Sequence, residues 1–180
     1  VLPLWIRMLF RLFVAAETGA HSVPDFASEY ETIYFNNYDG LVSFEINAIA
    51  QTPDGYIWVG TYSGLYRYDG YRFEKSNLDD RICNVMSLFV DSSGRLWIGT
   101  NDSGLACYEP GNSELAFYTP EEGLSAYSIR ALCEDKKGNM YVGTVASLSV
   151  IHPGGTIETY DAWTDINGIR SLVTVNDSCL

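Results

Sequence analysis

The sequence predicts an all-β fold, a β-propeller of four-stranded antiparallel blades that is incomplete in this chain: about three blades plus partial ones. Three observations predict it. An apolar–aromatic–Gly–Thr pattern recurs with a period near forty residues, and Trp58, Trp97 and Tyr141 mark it at spacings of 39 and 44 residues. Each period holds four strand-like pieces, which is the signature of propeller blades rather than of helical repeats. The composition, 47% hydrophobic with 16 Gly and 13 Tyr in 180 residues, is that of a packed chain rich in strands and turns.

The first repeat begins at Ile46, passes the turn Thr52-Pro-Asp-Gly55, reaches Tyr56-Ile-Trp-Val-Gly-Thr61 and closes through Ser63-Gly-Leu65. The second runs from Val85 through Asp91-Ser-Ser-Gly94 and Leu96-Trp-Ile-Gly-Thr100 to Ser103-Gly-Leu105. The third runs from Ile129 through Asp135-Lys-Lys-Gly138 and Met140-Tyr-Val-Gly-Thr144 to Ser147-Leu148, with Tyr141 replacing Trp and Ser147 replacing the turn Gly. Pro fixes φ and Gly accepts positive φ, so the first turn joins two antiparallel strands tightly. The second strand is apolar on both faces, as a strand sandwiched between neighbouring blades must be. Trp58, Trp97 and Tyr141 are therefore read as fillers of the space between blades. Gly60, Gly99 and Gly143 are read as places where another backbone comes close.

Fragments flank these repeats. Residues 32–45 match the link between the second and third repeats, since Gly40 precedes Ile46 by six positions as Gly123 precedes Ile129. They are expected to form the outer strand of a closing blade and its link. Blades are expected at 46–78, 79–122 and 123–162, and residues 163–180 begin the next, whose own aromatic–Gly–Thr strand is expected beyond Leu180. Residues 1–31 form a leader, apolar at 2–16 but interrupted by Arg7 and Arg11, that resembles a secretory signal. It is shorter than the roughly twenty apolar residues a membrane span needs.

Charge excludes some partners. A net charge of −12 repels nucleic acid over most of the surface, so no nucleic-acid partner is expected. The four cysteines lack paired metal-ligand spacing and are read as buried free thiols; the two histidines stand far apart, so no metal site and no cofactor are expected.

The run Asp54-Gly-Tyr-Ile-Trp-Val-Gly-Thr-Tyr-Ser-Gly-Leu-Tyr-Arg-Tyr-Asp-Gly70 resembles the two-component regulator propeller repeat. The resemblance covers 32–180 and is strongest at 46–73 and 85–108. It implies the extracytoplasmic, periplasmic or cell-surface, sensor region of a membrane-anchored receptor, expected as a homodimer. The membrane segment and the output, a histidine kinase or a diguanylate cyclase, would lie outside this chain. No catalytic residue is assigned within it. The alternatives are a protein-interaction scaffold and a propeller lyase or hydrolase, which would need carboxylates or histidines converging on the channel.

In a propeller, the loops entering each innermost strand surround the channel mouth. By repeat position these contribute Phe44, Glu45, Asn47, Arg81, Asn84, Tyr127, Arg130 and Arg170. Arg81, Asn84, Tyr127, Arg130 and Arg170 are the candidate ligand-binding residues, for a small molecule or saccharide. Arg130 and Arg170 occupy equivalent positions in successive repeats and suit an anionic ligand in an otherwise acidic protein.

Overall fold

A computed structural model describes residues 33–35, 37–43, 45–112, 115–160, 168–175 and 178–179. The leader at 1–31, Phe44 and the stretch 161–167 lie outside the described residues. The chain divides into the units Val1–Tyr34 and Phe35–Leu180, and the β-sheets of the described residues all lie in the second.

Alternating apolar runs broken by Gly-bearing turns fold into three four-stranded antiparallel sheets, each in simple sequential order. The first sheet is β1 (Ile46–Gln51), β2 (Ile57–Thr61), β3 (Gly64–Tyr68) and β4 (Phe73–Lys75). The second is β5 (Val85–Val90), β6 (Leu96–Thr100), β7 (Leu105–Tyr108) and β8 (Leu115–Tyr118). The third is β9 (Ile129–Glu134), β10 (Met140–Thr144), β11 (Leu148–Ile151) and β12 (Ile157–Tyr160). A short hairpin, β13 (Thr174–Val175) with β14 (Ser178–Cys179), comes after the third sheet. The innermost strands β1, β5 and β9 stand side by side. This is the blade architecture of an open propeller arc, and among the described residues no helix is long and apolar enough to cross a membrane.

The core lies between blades. One cluster joins Trp58 and Leu65 of the first blade to Val85, Leu96, Ile98 and Ala106 of the second; another joins Trp97 and Leu105 of the second to Ile129, Met140 and Val142 of the third. The repeated glycines are explained by the same contact, but what they admit is a side chain rather than a backbone. A Cβ on Gly60 would fall 2.6 Å from Val85 Cγ1, one on Gly99 2.8 Å from Ile129 Cγ2, and one on Gly143 2.7 Å from Ile169 Cγ2. Each Gly thus receives the β-branched residue that opens the next blade, the reason a residue with no side chain recurs there.

Two buried polar devices recur beside it. Asp91 accepts from the Trp97 indole N–H (2.8 Å), the Ser93 and Arg95 backbone N–H groups (3.0 and 2.9 Å) and Arg95 Nε (2.7 Å). Asp135 accepts from the backbone and side chain of Asn139 and, at 3.3 Å, from the Tyr141 hydroxyl; in the first blade the Thr52 hydroxyl takes the Trp58 indole at 3.0 Å. At the other end of the second strand, the fully buried hydroxyls of Thr61, Thr100 and Thr144 donate to Gly64, Gly104 and Ser147 carbonyls at 2.8–3.0 Å, closing each hairpin.

Before the first sheet, residues 33–35 form no strand and Asn37–Asp39 make a 3-10 turn. Phe35 sets its ring edge-on to Tyr68 and Phe73 (5.2 and 5.1 Å between centroids).

Candidate functional site

The innermost strands share one irregularity, and it builds the site. In each blade the pairing of the first two strands skips a residue near its start: Ile46 faces Thr61 and Ala48 faces Gly60, Val85 faces Thr100 and Ser87 faces Gly99, Ile129 faces Thr144 and Ala131 faces Gly143. Asn47, Met86 and Arg130 are the extra, unpaired residues. A bulge of this kind re-aims a side chain out of the sheet's alternation, so these three positions project at the same end of their strands. Arg170 holds the fourth equivalent position, one residue after Ile169, whose N–H donates to the Thr144 carbonyl at 2.9 Å.

Met86, Arg130, Val145, Gly168 and Arg170 line an open hollow of about 360 Å³. Gly168 sits at φ +78°, and a Cβ there would meet the Val145 backbone at 2.8 Å, so the approach to Arg170 depends on glycine. Asn47 lies one blade along, its Nδ2 donating to the Val85 carbonyl (2.8 Å) and lying 3.7 Å from the Met86 sulfur.

The two arginines are held differently. Arg130 Nη2 donates to Asn101 Oδ1 (2.9 Å), which also accepts from the Ser128 hydroxyl (3.0 Å). Asn101 Nδ2 donates to Asp102 Oδ1 (2.7 Å), and Asn84 Nδ2 donates to Asp102 Oδ2 (2.9 Å). The carboxylate is thus occupied by two amides, and the guanidinium is steadied by a neutral oxygen. Where the second blade has Asn101 the third has Val145, which offers Arg170 no side-chain acceptor. Arg170 is exposed and forms no ion pair among the described residues.

Of the five candidates, the structure brings Arg130 and Arg170 together at the hollow and sets Asn84 behind them through Asp102 and Asn101. Asn84 takes φ +52°, and its Oδ1 is buried with no hydrogen-bond partner among the described residues. Arg81 and Tyr127 go elsewhere. Arg81 forks onto both Asp79 carboxylate oxygens (2.9 Å each) and stacks over Phe117, 3.6 Å from the ring centroid. That hydrogen-bonded pairing holds the Asp79 carboxyl down to about 2. The Tyr127 hydroxyl is bound to Glu121 at 2.7 Å. Sequence reasoning does not single out Met86, Asn101 or Asp102. Repeat position alone gives Met86, aligned with Asn47, Arg130 and Arg170; Asp102 is one residue more than the corresponding turns of the other two blades contain.

Cys107 is buried, and burial pushes its thiol up to about 11 against the opposing pull of Arg95. Cys133 is buried as well, whereas Cys83, expected to be buried, lies exposed in the link between β4 and β5. Among the described residues no group of three His, Cys, Asp or Glu side chains is placed to hold a metal ion.

A family model described as two-component regulator propeller matches residues 43–63, 81–102 and 123–146, the bulged opening strands and their partners in each blade. A curated protein named histidine kinase P4, from Formosa agariphila, is 29% identical over 161 residues, covering 78% of this chain and 11% of that protein. Two solved structures from B. thetaiotaomicron superpose well. One, described as the extracellular domain of a hybrid two-component system, is 25% identical with a TM-score of 0.70 over 81% of this chain and 21% of its own. The other, described as the extracellular domain of a one-component system, is 26% identical with a TM-score of 0.67 over 83% of this chain and 21% of its own. The chain spans about a tenth of the curated relative and a fifth of each solved domain.

Proposed function

Because the chain belongs to the two-component regulator propeller family, we propose that it is part of the extracytoplasmic ligand-sensing propeller of a membrane-anchored signalling receptor. The ligand is a small molecule or saccharide taken at the mouth formed by the opening ends of the innermost strands. The output is a histidine kinase, the activity named in the curated relative, and it lies outside these residues. The observation that carries the reading is the coincidence of the family's repeat with the bulge. The three matched segments contain the residues that the backbone turns out of the sheet, Asn47, Met86 and Arg130. A bulge re-aims a side chain, and its recurrence at one end of three strands supports a rim built to present side chains.

The test is made in the intact receptor. Its propeller is expected to be cleaved by protease added outside the cytoplasmic membrane, and autophosphorylation is expected to change with an added glycan or metabolite from a screened panel. A propeller protected until the membrane is broken would overturn the location. A receptor whose phosphorylation responds equally when the bulged positions Asn47, Met86 and Arg130 are all replaced by Ala would overturn the site.

A further inference from the structure

Resting on the sensor reading for its biological use but not for its chemistry, we propose that the hollow between Arg130 and Arg170 binds a compact organic monoanion through its carboxylate. Arg130 serves as a preset donor, Arg170 as an exposed second donor, and Met86 and Val145 as an apolar floor.

Three features of the hollow select this class. Two guanidiniums at equivalent positions of successive repeats present planar donor forks, which match a carboxylate better than any neutral hydroxyl does. Neither fork is spent on a carboxylate among the described residues: Arg130 is bound to Asn101 Oδ1, and the nearby Asp102 is taken up by Asn101 and Asn84. Arg130 therefore keeps both its charge and a fixed direction. A single hydrogen bond uses one of the five N–H groups a guanidinium carries, leaving the others for a ligand.

Size and long-range charge narrow the class further. About 360 Å³ lies at the small end of ligand pockets. It suits a ligand of one ring or a short chain, whose C–H surface would lie on Met86 and Val145. The chain carries a net charge of −12, and the repulsion of an approaching anion grows with the anion's own charge. A polyanion is thus opposed over the whole surface before it reaches two arginines, whereas a monoanion meets little opposition and gains both.

Asn101 acts as a positioning residue. It does not touch the ligand, but it connects Arg130 to Asp102 and accepts from Ser128, so it sets where the preset fork points. Val145, its counterpart in the next blade, offers Arg170 no such acceptor.

The experiment uses the full-length protein and the pair glucuronate and glucose, which share a ring and differ by a carboxylate, with inorganic phosphate as a third probe. Binding is followed by titration calorimetry at low and at physiological salt. The expected result is glucuronate binding that weakens with salt and at least tenfold weaker glucose binding. R170Q and R130Q should each lower glucuronate affinity by about ten- to a hundredfold, the range for a lost charged hydrogen bond. N101A should lower it less, with an unchanged melting temperature and a narrowed preference for glucuronate over glucose; restoration by N101Q would mark a positioning role.

Equal binding of glucose and glucuronate, or an unchanged affinity in the R130Q/R170Q double variant, would overturn the proposal. Phosphate binding at these arginines without glucuronate binding would overturn the carboxylate assignment. The sensor reading fails separately: glucuronate bound through these arginines with no change in phosphorylation would sink it and leave the site standing.

Discussion

The second and third blades are built on one plan, and the second is the tighter copy. In the second, Trp97 lies buried, stacks on Tyr118 at 5.6 Å and anchors its indole to Asp91, which also holds Arg95. In the third, Tyr141 is only half-buried and reaches Asp135 through a long 3.3 Å hydroxyl contact. The difference continues at the hairpin tip. The second blade inserts one residue, Asp102, ahead of Ser103-Gly104, while the third runs Val145-Ala-Ser147 without a glycine. The insertion supplies the carboxylate that gathers Asn84 and Asn101 behind Arg130, and the tip of the third blade, with Val145 at the Asn101 position, supplies no carboxylate to Arg170. A repeat fold thus varies its rim by one residue at a tip while keeping the inter-blade contact of Gly99 with Ile129, and of Gly143 with Ile169, unchanged.

If packing density separates the blades, the largest effect will be Trp97→Ala, which empties a buried aromatic site at a cost of about 3–5 kcal/mol. Tyr141→Ala is expected to fall below that range, because part of its ring already faces solvent. Peptide-resolved hydrogen exchange of each variant in the full-length protein checks both, and equal loss of protection in the two blades would break the comparison.

The anchoring carboxylates come next. Asp91→Ala leaves a buried indole and Arg95 without their acceptor and is expected to cost about 3 kcal/mol. Asp135→Ala should cost about 1 kcal/mol less, since its aromatic partner is bound more loosely. Burial pushes Asp135 upward, but the Asn139 side chain, the Asn139 and Lys137 backbone N–H groups and the Tyr141 hydroxyl together hold it below its ordinary value. A carboxylate depressed in the folded state stabilises fully above its unfolded value, near 4, and loses that contribution as the pH falls below it. The third blade of the wild type should therefore open between neutral pH and strong acid more readily than that of Asp135→Ala relative to each protein's stability at pH 7. Parallel pH profiles for the two proteins would show that Asp135 has no such role.

Gly104→Ala probes the hairpin tip. Gly104 sits at φ +81°, where an added Cβ would fall 2.4 Å from the Tyr118 carbonyl oxygen, so a loss of about 1–3 kcal/mol is expected. Ser147, its counterpart, does not occupy the left-handed region. Ser147→Ala is expected to cost under about 0.5 kcal/mol. A tip that tolerates both changes equally, by thermal melting, would mean that the degenerate third repeat is not built differently there.

What a repeat can encode decides how much of this is legible in the sequence. The blade plan is readable because packing between blades demands the same residue types each time: a β-branched opener, a small Gly to receive it, an aromatic filler. The partner of each Gly is misjudged because a side chain and a backbone make the same demand for space. The equivalence of Arg130 and Arg170 is also readable, since it is a matter of counting. The bulge is not, because one unpaired residue leaves the apolar alternation around it intact. Nor is the role of Asn101 and Asp102, which comes from a single inserted residue that no period announces.

Arg81 gives a small effect and the sharpest separation of register from proximity. It precedes Val85 by four residues, whereas Arg130 follows Ile129 by one, and the difference decides where each points: Arg81 turns outward onto Phe117 of the outermost strand, and Arg130 is thrown out by the bulge into the hollow. The Arg81–Asp79 pair is bidentate, but the arginine is exposed to screening solvent, so Arg81→Ala should cost little at neutral pH. Asp79 is held down by this same hydrogen bond, which puts the pair's contribution above the ordinary carboxylate value and lets it fade as the pH drops toward about 2. The wild type and Arg81→Ala should accordingly converge in stability under acid. Glucuronate affinity at neutral pH should be the same in both, because the substitution lies outside the hollow. A drop in that affinity comparable to the one expected of R170Q would show that the link before Val85 reaches the rim after all, and would return Arg81 to the site.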